Sequence, residues 1–186
     1  MIYQLPPPQP KAEPQEQYSF LKAWGYQGSD EGQFNYPSGV AVDSSAKVYV
    51  ADLNNSRTQK FTNDGDFITI WGSLGNSESQ FNIPSGVAVD SSGNVYVSDL
   101  HNNRIQKFTS DGKFITMWWS YGEGEGEFNG PEDVDVDSSG NVYVVDGNNN
   151  QIQVFKQVPT DNNNHLQTLL TNFIRLVWTN QQYYDI

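Results

Sequence analysis

Apolar positions along this chain fall in short alternating runs broken by polar turns. In one stretch the segments 86–90, 94–98, 104–108 and 113–118 are rich in β-branched and aromatic residues, which predicts four strands. Turn chemistry separates them. Asp-Ser-Ser-Gly-Asn at 90–94 offers a side-chain acceptor and a glycine suited to positive φ, Leu-His-Asn-Asn at 100–103 offers two asparagines that tolerate the left-handed region, and Ser-Asp-Gly at 110–112 is a hairpin signal. The first two strands of such a unit are apolar on both faces. Val40 and Val42 alternate with Ala41, and Val48 and Val50 with Tyr49 and Ala51, as a sheet covered on each side requires.

The pattern repeats with a fixed step of 47 residues: Pro37, Pro84 and Pro131, then Asp43, Asp90 and Asp137, Asp52, Asp99 and Asp146, Phe34, Phe81 and Phe128, Phe61, Phe108 and Phe155, and Trp24, Trp71 and Trp118. A unit of this size cannot bury its apolar faces alone and must stack on copies of itself. Four antiparallel strands per unit make a propeller blade, so the predicted fold is an all-β propeller of four-stranded blades. The repeats run over about 25–71, 72–118 and 119–156, with a leading fourth strand at 19–24 whose blade is missing. A proline-rich arm or linker covers 1–18, and a non-repeat tail covers 157–186. In the tail, Leu166, Leu169, Leu170, Phe173, Ile174 and Val177 suit an amphipathic helix, while Phe-Ile-Arg-Leu-Val-Trp at 173–178 competes as a strand.

Several linked motifs carry a family resemblance. Gly-Gln-Phe-Asn-Tyr-Pro-Ser-Gly-Val-Ala-Val-Asp at 32–43, Val-Tyr-Val-Ala-Asp at 48–52, Asn-Asn-Ser-Arg at 54–57 and Gln-Lys-Phe at 59–61 resemble an NHL repeat, and 79–118 and 126–155 resemble it again. The resemblance implies a β-propeller, in that family usually six-bladed. It implies no single function, because similar propellers serve as RNA-binding modules, protein-binding sensors, surface proteins and lyases.

Charge narrows that list. A net charge of −12 and a pI near 4.3, with ten scattered Lys and Arg residues, disfavour nucleic acid. The absence of cysteine excludes disulfides and thiol chemistry. No segment reads as a membrane span or a signal peptide, and the reading favours a secreted or cell-surface placement. Catalytic signals are thin: His101 and His165 are too few for the three-histidine zinc site of the lyase branch, and no serine sits on a nucleophile elbow. The repeated Asp residues are expected to accept backbone N–H bonds in turns, with Arg57 and Arg104 bracing the second set and Gln151 replacing the arginine in the third copy. Gly-Glu-Gly-Glu-Gly at 122–126 has the wrong charge for a phosphate cradle and reads as a flexible acidic loop between blades.

One departure points to chemistry. The third copy has Pro-Glu-Asp-Val-Asp-Val-Asp at 131–137, so Asp133 and Asp135 replace Gly86 and Ala88 on one face of a strand that, by resemblance, lines the central channel. The pair is expected to be solvated, to share a Ca²⁺ ion, or to act as a catalytic pair. The sequence therefore reads as a non-enzymatic interaction module that binds a protein or carbohydrate through blade loops. The alternative is a lyase- or lactonase-like propeller with a calcium-type cation on Asp133 and Asp135. Three blades are fewer than the four to eight that close a ring. The expectation is a homodimer of three plus three blades or a longer chain completing the propeller, with an open arc capped by the tail as the remaining option.

Overall fold

The computed structural model describes residues 18–158; the tail segment 161–178 and His165 lie outside the described residues. Among the described residues, eleven strands form three antiparallel sheets. Blade 1 is β1 (Pro37–Val42), β2 (Val48–Asp52), β3 (Arg57–Phe61) and β4 (Phe67–Trp71). Blade 2 is β5 (Pro84–Val89), β6 (Val95–Asp99), β7 (Arg104–Phe108) and β8 (Phe114–Trp119), and blade 3 is β9 (Pro131–Val136), β10 (Asn141–Asp146) and β11 (Gln151–Lys156). Each sheet is a meander in sequence order. The first strands pack side by side, β1 on β5 and β5 on β9, so the blades stack with these strands innermost.

The turns form as their residues dictate. Asp43, Asp90 and Asp137 each accept two backbone N–H bonds through one carboxylate oxygen, from Ser45 and Lys47, Ser92 and Asn94, and Ser139 and Asn141. The residue closing this turn has positive φ in all three blades: Ala46 at 57°, Gly93 at 81° and Gly140 at 79°. After the second strand, a single turn of 3₁₀ helix ends on a left-handed residue, Ser56, Asn103 or Asn150.

Aromatic rings fill the space between blades. Phe34 on Phe61, Phe81 on Phe108 and Phe128 on Phe155 meet at centroid distances of 5.5, 5.7 and 5.6 Å. A tryptophan at or next to the end of one fourth strand packs on the third-strand phenylalanine of the next blade: Trp71 on Phe108 at 5.9 Å and Trp118 on Phe155 at 5.7 Å. Close approach of the inner strands depends on glycine. A Cβ at Gly39 would lie 2.6 Å from the Ser85 carbonyl oxygen, and one at Gly86 would lie 2.7 Å from the Asp133 Cα. Ser38 and Ser85, beside those glycines, donate from Oγ across the same seams to the Ser85 and Glu132 carbonyls at 2.8 and 2.5 Å.

The expected leading strand at 19–24 is corrected. These residues form no strand, because no third strand stands beside them to supply backbone partners. Trp24 nevertheless occupies the fourth-strand place. Trp24 packs on Phe61 at 6.1 Å and lies where a Cβ on Gly65 would strike it, as Trp71 does at Gly112. Lys22 reaches the Asn63 carbonyl and the Asp64 carboxylate, both at 2.7 Å.

Candidate functional site

Each blade contains a buried polar hub at the end of its second strand. Asp52 accepts the Asn35 N–H and the Arg57 Nε, both at 2.7 Å, and Asp99 accepts the Asn82 N–H and the Arg104 Nε at the same distances. The arginines do more than brace a turn. Arg57 also donates to the Ser29, Asp30 and Gln33 carbonyls, and Arg104 to the Asn76, Ser77 and Gln80 carbonyls, so each locks the loop entering its own blade. In blade 3, Gln151 reaches Asp146 at 3.0 Å in place of arginine. The loop at 122–127 is held by Gln153, whose amide donates to the Glu127 carbonyl and whose Oε1 accepts the Gly126 N–H, so the segment read as flexible is wired into the blade. Burial pushes the Asp99 carboxyl above its ordinary range against the hydrogen bonds it accepts. For Asp146 burial acts in the same direction, but bonds from Gln151, the Asn129 N–H, Asn149 and Gln153 outweigh it and hold the group low. These hubs are structural: every charged atom in them is spent on the fold.

Asp133 and Asp135 stand on one exposed face of β9, and each carboxylate accepts the backbone N–H of the following residue, at 2.9 and 2.8 Å. Together with Ser38, Ser85 and Glu132 they line the hollow along the inner strands. Among the described residues no three His, Cys, Asp or Glu side chains converge in a metal-holding group. His101, exposed in the turn after β6, lines a different hollow with Asn102, Arg104, Met117 and Tyr121.

The same residue type, one step of the repeat apart, has opposite surroundings at the two ends of the stack. Val40 is 67% exposed, whereas Val87 and Val134 are 6% and 4% exposed. On the far side of blade 3, Tyr143, Ile152 and Val154 are 39%, 59% and 55% exposed, where Tyr49, Tyr96 and Ile105 are buried in blades 1 and 2. The lysines that lie over the tyrosines of blades 1 and 2, Lys60 and Lys107, are replaced by Val154 in the third copy. Alternation along β10 and β11 exposes these faces to view only once a blade is known to lack a neighbour.

Sequence reasoning also passed over Tyr26 and Tyr36. They stand where the other copies have Ser73 and Ser120, and Ile83 and Gly130, and that departure was the available signal.

Comparison with known proteins agrees with this architecture. A family model described as NHL repeat matches residues 34–61, 81–108 and 128–155. The B-box type zinc finger protein ncl-1 of Caenorhabditis elegans is 50% identical over 44 residues, covering 24% of this chain and 5% of that protein. The human E3 ubiquitin-protein ligase TRIM32 is 46% identical over 50 residues, covering 27% of this chain and 8% of that protein. The matched segments thus span less than a tenth of the length of these relatives. A chain of the nidogen/laminin complex superposes with a TM-score of 0.51 at 21% identity, covering 63% of this chain and 42% of that one, a likeness of fold. Three matched segments, each falling within one blade, show that this chain carries three NHL repeats in a β-propeller architecture.

Proposed function

We propose that the chain is a non-enzymatic protein-binding module whose partner packs on the open face of blade 3. The contrast in exposure between Tyr143 and Ile152 and their buried counterparts in blades 1 and 2 carries this reading, because a face built to be covered is a docking surface where no described residue covers it. The edge of β11 adds a row of backbone groups to which an incoming strand can pair.

The partner is a polypeptide other than a second copy of this chain. A copy closing the ring would lay its Val40 and Val42 against Asp135, at the position where Ala41 and Ala88 meet valines in the interior seams. Burying that carboxylate against apolar groups without a counter-charge is strongly unfavourable. Asp133 adds a Cβ where the interior seams require glycine, and Glu132 replaces the serine that donates across them. A partner offering Lys, Arg or free N–H donors beside apolar side chains satisfies the same face.

Light scattering should report a monomer for the native chain and a dimer for Glu132→Ser/Asp133→Gly/Asp135→Ala, which restores the pattern of the other two copies. A native dimer would sink the claim that the partner is a different polypeptide. A photo-crosslinking residue at position 154 should capture protein far more efficiently than one at the exposed Ala46; equal or no capture counts against the docking face.

A cation on Asp133 and Asp135 is the second reading, favoured by two carboxylates on one face that form no ion pair among the described residues.

A further inference from the structure

The turn after β2 carries a feature of blade 1 alone. Asn54, Asn55 and Ser56 stand where the other copies have His101, Asn102 and Asn103, and Asn148, Asn149 and Asn150. Asn54 is thereby the one asparagine of the chain with Ser or Thr two residues on and no proline between, the acceptor pattern for an N-linked glycan.

The three copies separate what this turn needs from what it does not. The middle asparagine is structural in every blade. The Asn55 amide donates to the Gly28 carbonyl and the Asp52 carboxylate, both at 2.8 Å, and Asn102 and Asn149 make the same pair of bonds to Gly75 and Asp99 and to Gly122 and Asp146. The flanking positions vary. Asn54 is exposed, and its amide makes one hydrogen bond among the described residues, to the Asn35 side-chain oxygen at 3.2 Å. Blade 2 builds the same turn with His101 there. Ser56 closes the turn at φ 53°, in the left-handed region where Asn103 and Asn150 sit at 51° and 54°. Asparagine suits that region better than serine, so blade 1 departs from the favoured residue at the step that completes the acceptor.

We infer that Asn54 is an N-glycosylation site. Its Nδ2 attacks the anomeric carbon of a lipid-diphosphate-linked oligosaccharide; the new N–C bond replaces the C–O bond to the diphosphate, which leaves with the lipid, and one amide proton passes to the transferase. The glycosylated amide keeps one N–H, enough for the bond to Asn35. In the folded turn Ser56 is 8% exposed and its backbone N–H is held by the Leu53 carbonyl, so a transferase that reads the serine hydroxyl meets the segment before blade 1 closes. The finished fold then carries the glycan on the exposed Asn54, beside Asn35, with blade 2 standing between it and the open face of blade 3. Modification requires that the chain enter a compartment holding the transferase, in keeping with the secreted or cell-surface placement expected from the sequence.

Mass spectrometry of the protein from its own cells should find a glycan on Asn54 and on no other asparagine, released by peptide N-glycosidase with conversion of Asn54 to Asp. Translation of the full chain into rough microsomes behind a cleavable leader should give the same single step in mass. Asn54→His and Ser56→Asn each restore the residue of another copy and should abolish the step, whereas Ser56→Thr, which keeps the hydroxyl, should retain it. A bare Asn54 in the native protein, or a step that survives Ser56→Asn, overturns the assignment. Capture by the crosslinker at position 154 should be equal for the glycosylated chain and for Asn54→His, so this proposal and the docking face of blade 3 fail separately.

Discussion

Single residues show where the repeat is under strain and where it is tuned. Ala46 adopts φ 57° in a turn whose other copies use Gly93 and Gly140, and its side chain is exposed, so its methyl group contributes conformational cost and no packing. Ala46→Gly should raise stability by about 0.5–1 kcal/mol, the left-handed penalty less the entropy glycine adds to the unfolded chain, read from denaturant midpoints. A lower midpoint would mean that the first turn is bent differently. Asp137 is the opposite case. Hydrogen bonds from the Asn141 side chain and backbone and the Ser139 N–H hold its carboxyl below the ordinary value. A depressed folded-state value adds stability above the unfolded value of about 3.9, and the gain is lost as pH falls through the folded one. Melting curves of wild type and Asp137→Asn should therefore differ at pH 6 to 7 and converge as pH drops below about 4; a constant gap would show that the charge is irrelevant to the turn.

At the scale of the element, three copies of one loop form an internal experiment. Arg57 and Arg104 join a buried Asp to three loop carbonyls, whereas Gln151 reaches the Asp alone. Arg104→Gln should cost about 2–3 kcal/mol, since the lost bonds are charge-assisted and Asp99 stays buried. Gln151→Arg should gain about 1–2 kcal/mol by the same reasoning in reverse. Chemical denaturation of both variants checks the pair, and equal small effects would show that the loop bonds carry no net energy. The leading segment at 19–24 gives a related lesson. Its residues match a fourth strand, and Trp24 keeps the fourth-strand contact, yet no strand forms without a partner edge. Side-chain packing is set by the neighbouring blade, and hydrogen bonding by the missing one.

For the whole molecule, the two ends of the stack formed by the described residues differ from each other. One end presents Val40 and Val42, the other an apolar sheet face bordered by Glu132, Asp133 and Asp135. The calcium reading is tested at this scale. Two carboxylates supply few of the six to eight oxygens the ion takes, so any protein-held site is weak. Thermal stability should rise only at millimolar Ca²⁺, by mass action, and Asp133→Gly/Asp135→Ala should remove the rise. No shift at that concentration would exclude the cation and leave the carboxylates to the partner.

The fold was legible before any coordinates because a 47-residue step repeats every turn acceptor, apolar alternation and aromatic anchor at once. Strand pairing follows from such local signals: Gly93, Asn103 and the Asp90 turn set register from within a few residues. The substitution of Asp133 and Asp135 was equally plain, since it is a difference between copies. Exposure was not. Val40, Val87 and Val134 are the same residue in nearly the same local sequence, and only the tertiary stack leaves one in water and buries the other two. The Asp135 face and the edge of β11 lie where no further strand stands beside them among the described residues. A local pattern states what a surface is suited to touch; the three-dimensional arrangement decides whether anything touches it.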